Sequence, residues 1–163
     1  MHHEAHARFD AIDRSYQYTI ARNKDPFSQD TIFHDPFYDH LDIYVLNECA
    51  QLILQYDEFF PFCKSKSDVD HYLCRITKSD WRYSTDRSLL IFEIQANRFL
   101  RGMVRLIVGT CRLVSLGKLE IQEVRYALEN QVLLSKNFSA PPQGLFLHQI
   151  TYPDGYFEKP VFN

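Results

Sequence analysis

The chain is predicted to be α+β, with a mainly antiparallel sheet and helices packed on one face. Three observations predict this. Its 163 residues are 45% hydrophobic and 15% aromatic, enough to fill the core of one domain over 1–163. Strand and helix periodicities follow in the order β-α-β-β-α-α-β. No internal repeat or low-complexity linker interrupts that order.

Each element has its own warrant. Arg14 to Ile20 alternates as a strand, placing Arg14, Tyr16, Tyr18 and Ile20 on one face. Asp25-Pro26 and Asp35-Pro36 punctuate a loop. Asp39 or Asp42 can cap a helix running to about Gln55, with Leu46, Cys49, Ala50 and Ile53 on one side. Phe59, Phe60 and Phe62, broken by Pro61, make an aromatic knot after it. Two strands follow, Tyr72–Thr77 and Leu89–Gln95, joined through Trp81 and a turn at Thr85-Asp86-Arg87. The next helix is predicted to begin behind Asn97 as its N-cap and to stop at Gly117, a natural C′ residue. A short amphipathic helix spans Ile121–Asn130, Ala140 to Gly144 is a rigid turn, and Leu145 to Tyr152 is the last strand.

Composition narrows the function. A formal net charge of −3 gives no global attraction to nucleic acid, so any such contact must come from a local patch. No apolar run reaches the roughly 18 residues of a membrane span, and the N-terminus lacks a signal-peptide core. Cys49, Cys63, Cys74 and Cys111 form no Cys-x-x-Cys pair and read as reduced, partly buried thiols of a cytosolic protein. Cys63, His71 and Cys74 match no familiar zinc spacing, and His2, His3 and His6 read as a polar terminus.

The stretch Ala96 to Gly109 bears the chemistry. On a helix of about 100° per residue, Arg98, Arg101, Arg105 and Arg112 fall on one stripe with Gly102 and Gly109. Phe99, Met103, Leu106, Ile107, Thr110 and Val114 fall opposite, with Leu100, Val104 and Val108 on the flanks. A solvated face is the ordinary reading of such a stripe, but solvated faces seldom need glycine. The two glycines let something approach the backbone closely. An enclosed arginine is costly unless an anion meets it, so the helix asks for a carboxylate, a phosphate, or both.

Three separated segments then resemble one family. Ala5-His6-Ala7-Arg8-Phe9-Asp10-Ala11 with Arg14-Ser15-Tyr16-Gln17-Tyr18 resembles the start of the C-terminal half of TruA-type tRNA pseudouridine synthases. Ala96–Gly109 is similar to that family's arginine motif, and Gly144-Leu145-Phe146-Leu147 with Tyr152-Pro153 to its closing strand. Glu58-Phe59 and Phe62 match a weaker landmark. The resemblance covers nearly the whole chain, in order. The family's catalytic aspartate lies in an N-terminal Arg-Thr-Asp-x-Gly-Val-His segment that is absent here. Ser84-Thr85-Asp86-Arg87 resembles it in part, without a following Gly-Val-His, and reads as turn chemistry. The sequence thus looks like half an enzyme, starting inside the family's full length.

The resemblance implies a ferredoxin-like half of the pseudouridine synthase fold. It also implies isomerisation of uridine to pseudouridine in the tRNA anticodon arm, by a cytoplasmic homodimer that needs no cofactor and no metal. Arg105, in Met103-Val104-Arg105, becomes the partner that keeps the aspartate ionised. Tyr16 becomes the ring that stacks on the extruded uracil and assists removal of the C5 proton, with Tyr18 its competitor. Leu145 becomes the dry wall of the pocket and Arg98 and Arg101 are candidate substrate-binding residues, while phosphate contact and surface exposure stay open for each of Arg98, Arg101 and Arg112. The alternatives are a non-catalytic RNA-binding module and a protein-interaction domain that keep the half-fold.

Overall fold

The sheet is built around the segment that alternates most clearly. In the computed structural model, which describes residues 6–27, 30–64 and 71–157, β1 is Asp13–Ala21 and β4 is Leu89–Ala96. They pair antiparallel from Arg14 opposite Ala96 to Ala21 opposite Leu89. The other edge of β1 is shared. β5 (Leu145–Thr151) runs antiparallel beside Asp13 to Tyr18, and a two-residue β2 (Phe33–His34) runs parallel beside Ile20 and Ala21. β3 (Ile76–Tyr83) closes the far side against β4. The sheet is therefore mixed and mostly antiparallel, as the sequence predicts. β2 lies where only a loop is expected, because two residues carry no readable periodicity.

Leu90, Phe92, Ile94 and Ala96 of β4, with Tyr18 and Ile20 of β1, share one core with the helices. α1 is Ile43–Ile53, and Asp42 decides its start: its Oδ1 accepts from the Tyr44 N–H at 2.8 Å. Leu46, Cys49, Ala50 and Ile53 are buried as the helical spacing requires. The polar side of α1 works as well. Asn47 Nδ2 donates to the Trp81 carbonyl at 3.0 Å, its Oδ1 accepts from the Trp81 N–H at 2.8 Å, and Gln51 Nε2 donates to the Ser79 carbonyl at 2.9 Å. α1 thus satisfies the outer edge of β3, which would otherwise present unpaired backbone.

Two expectations are corrected. β3 begins at Ile76 and contains Trp81, where the sequence predicts a connection. The Trp81 ring packs on Phe92 at 4.9 Å, and the hairpin extends its ladder to Tyr83 opposite Leu90. Packing on the core face outweighs the polar residues around it. The second correction concerns α2, which spans Met103–Ser115 rather than starting behind Asn97. Asn97 continues the strand pairing instead: its N–H donates to the Arg75 carbonyl at 3.2 Å, and its Oδ1 accepts from the Arg75 N–H at 2.8 Å. Gly102 has φ +75°, a left-handed conformation that breaks any helix running in from Phe99. At the other end Gly117 is the C′ residue as expected, with its N–H on the Val114 carbonyl at 2.9 Å. α3 is Ile121–Asn130, started by a reciprocal capping box between Glu120 and Glu123.

Among the described residues no helix is long and apolar enough to cross a membrane. His2 and His3 lie outside the described residues. Cys49, Cys63, Cys74 and Cys111 are buried and form no disulfide with one another. The neighbouring Cys111 thiol and burial together push the Cys49 thiol well above the usual range.

Candidate active site

Because α2 starts late, its arginines part company. Arg98 and Arg101 belong to the loop before the helix, and only Arg105 and Arg112 are on it. Arg112 turns inward and is 8% exposed, while Asp35 beside it is 1% exposed. Its Nη2 donates to Asp35 Oδ1 at 2.8 Å and its Nε donates to Oδ2, a bidentate pair. The guanidinium also sits 5.4 Å from the Phe37 ring centre and 5.2 Å from that of Phe138. So the carboxylate that the stripe asks for is in part supplied internally, by Asp35 of the loop that Asp35-Pro36 punctuates. Neither phosphate nor solvent is the partner of Arg112.

The close approach expected at both glycines is found at Gly109 and not at Gly102, where an added Cβ would meet Lys64 only at an ordinary 3.5 Å. The segment Phe138–Pro141 lies across α2 as a strap. A Cβ at Gly109 would stand 1.7 Å from the Phe138 carbonyl oxygen. The Ala140 N–H donates to the Arg105 carbonyl at 3.0 Å, and Arg105 Nε donates back to the Ala140 carbonyl. Tyr18 Oη donates to the Pro141 carbonyl at 2.7 Å from beneath. The strap leads through a short 3₁₀ turn, Pro142–Gly144, into Leu145 at the start of β5. One face of α2 therefore positions both Arg105 and Leu145.

Helical Gly→Ala is usually favourable by about 1 kcal/mol, but here the sign reverses. Gly109→Ala is expected to destabilise the fold by about 3 kcal/mol, because the atom it meets is backbone rather than a flexible side chain. Thermal unfolding checks this, with a fall in midpoint on the order of 10 °C for a chain of this size.

Tyr16, Arg105 and Leu145 converge. They line one cavity of about 120 Å³ together with Phe99, Met103 and Val104. Tyr16 is half-buried, and its ring meets Phe99 edge-to-face at 5.2 Å. Arg105 is half-buried too, and beyond Nε its guanidinium meets no acceptor among the described residues. Tyr18, two residues along the same strand face, is fully buried, and that burial pushes its phenol well above the usual range. No Asp or Glu lines this cavity among the described residues.

The remaining expected site residues lie elsewhere. Arg98 lines a larger adjoining cavity, and its Nη1 is 3.0 Å from His71 Nε2. Arg101 is exposed and lines neither cavity; its carbonyl accepts from the Lys64 N–H at 3.1 Å. Asp86 stays in the β3–β4 hairpin, accepting from Ser84 Oγ at 2.6 Å and Ser88 Oγ at 2.9 Å. Those hydroxyls and the Ser88 N–H bring its carboxyl down to about 2, which suits a turn residue. Among the described residues no group of three or more His, Cys, Asp or Glu is arranged to hold a metal ion.

Comparison with known proteins decides the family. The family model described as tRNA pseudouridine synthase matches residues 57–153, more than half of the chain. The chain belongs to the tRNA pseudouridine synthase family. It is 41% identical over 154 residues to "tRNA pseudouridine synthase A" of Porphyromonas gingivalis, covering 94% of this chain and 60% of that protein. It is 40% identical over 157 residues to the protein of the same name in Bacteroides fragilis, covering 95% and 60%. With the Listeria innocua protein it shares 33% over 152 residues, covering 90% and 59%. The chain thus spans about 60% of the length of these synthases.

Proposed function

We propose that this chain, as one domain over 1–163, is the C-terminal part of a pseudouridine synthase acting on uridines of the tRNA anticodon arm. In this reading the enzyme is a cytoplasmic homodimer. The single observation that supports it best is the convergence of Tyr16, Arg105 and Leu145 on one cavity, with much of the Arg105 guanidinium unpaired among the described residues. A half-buried cation without an anion is an incomplete site. The missing group is an aspartate from a segment outside this chain. The cavity would receive a uracil extruded from the stack, since neither C1′ nor C5 is accessible inside it.

The chemistry is then an exchange of bonds within one nucleotide. The C1′–N1 bond breaks with assistance from the ionised aspartate, the base turns, and C1′ joins C5. The C5 proton leaves and N1 gains one, so nothing is oxidised and no cofactor is consumed. Arg105 keeps the aspartate ionised and fixes its rotamer through a bidentate fork. Tyr16 stacks on the base, and its hydroxyl takes part in removing the C5 proton. Leu145, with Val104 and Met103, keeps water from the wall behind the base.

Tritium release from 5-tritiated tRNA tests the reading. The chain alone is expected to release none, and adding the aspartate-bearing half, fused or in trans, is expected to create turnover. Turnover by the isolated chain overturns the missing-aspartate argument. In the reconstituted enzyme, Tyr16→Phe should retain tRNA binding and slow product formation, while Tyr16→Leu should also lose about 1–3 kcal/mol of stacking. Tyr18→Phe should keep the chemistry and lose about 1 kcal/mol of stability, since it strips the Pro141 carbonyl of its donor. Equal catalytic losses for the two Phe variants would refute the division of roles.

A further inference from the structure

A second cavity, of about 800 Å³, opens beside the first and shares Tyr16 and Phe99 with it. Among the described residues the charged side chains lining it are all arginines, in a chain whose net charge is −3. Arg14 is occupied in building it. Its Nη1 donates to the carbonyls of Ala11 at 2.9 Å and Asn97 at 2.6 Å, and its Nη2 to that of Arg8. This staples the turn before β1 to the loop before α2. The turn is braced further by Phe9 N–H to the His6 carbonyl at 3.1 Å and by Tyr152 Oη to the Ala7 carbonyl at 2.8 Å.

The result is an aromatic ring held fixed yet left open. Phe9 is 75% exposed, with the His6 ring 4.4 Å from it and the Arg8 guanidinium 5.8 Å from its centre. Arg98, tethered to His71, supplies a cation elsewhere in the same lining. Fixed aromatic surface flanked by cations is the chemistry that receives a single-stranded base and its phosphate. Resting on the uridine-site reading, we infer that this cavity binds the nucleotide adjoining the target uridine. Its base lies on Phe9 and its phosphate on Arg8 and Arg98. The shared wall of Tyr16 and Phe99 puts the two cavities side by side, so a strand whose uracil occupies the inner one has the outer one next to it.

The test uses this chain with two ligands: uridine 5′-monophosphate, and an RNA trinucleotide with 2-aminopurine next to a central uridine. The trinucleotide is expected to bind at least roughly tenfold tighter, with its fluorescence quenched and the methyl signals of Leu147 and Ile150 shifted in NMR spectra. Phe9→Ala, at an exposed position, is expected to abolish the quenching and the tenfold advantage while leaving monophosphate binding unchanged. Arg98→Gln should flatten the salt dependence of trinucleotide binding by about one phosphate contact. If Phe9→Ala binds and quenches like the parent chain, or if both ligands bind equally, the flanking site is overturned and the inner-cavity reading stands. Failure of both ligands to bind overturns the two together.

Discussion

Arg112→Ala is expected to be the most damaging single change to the fold, costing about 3–5 kcal/mol. The reason is the residue it leaves behind. Asp35 is 1% exposed, and its two oxygens accept from one guanidinium, so deleting that group strands a charge in the core. The stacking against Phe37 and Phe138 is lost as well, which loosens the strap where it crosses α2. Removing both charges tells the pair apart from its packing. Asp35→Leu combined with Arg112→Met leaves no unpaired charge and costs only the Phe37 N–H its acceptor, so it should recover most of the loss. Urea denaturation of the single and double variants measures the difference. A single variant as stable as the parent chain would show that the pair does not hold this face of the core.

Arg105→Lys is expected to cost a reconstituted enzyme roughly a hundredfold or more in single-turnover rate, and Arg105→Ala up to several thousandfold. Lysine brings a charge but not the fork, and it cannot both donate to the Ala140 carbonyl from Nε and hold a carboxylate in two places. The strap makes the effect specific. Its backbone bond from Ala140 N–H to the Arg105 carbonyl survives either substitution, so Leu145 stays in place while the carboxylate partner is lost. Unfolding midpoints should therefore move by far less than the rates. Near-normal turnover of Arg105→Lys removes the carboxylate-partner role.

Elements whose signals are local are legible from the residues alone. Gly117 at the end of α2, the strands β1 and β4, the helix over Ile121–Asn130, and Asp42 as one of two candidate caps for α1 each depend on neighbours a few residues apart, and they lie where the sequence puts them. Tyr16 and Tyr18 share a strand face, and the spacing could not say which is enclosed. The strap decided that, by covering Tyr18 and leaving Tyr16 at the cavity. The arginine stripe shows the limit most clearly. A helical wheel assumes that the helix begins where its pattern begins, but Gly102 and the pairing of Asn97 with Arg75 delay the start to Met103. Of four arginines on one drawn face, one turns to Asp35, one lines the inner cavity, one lines the outer cavity and one is exposed. Asp35 and Arg112 are 77 residues apart, as the bond between them records. No local rule links them, because a buried ion pair is chosen by which segments the packed core brings together.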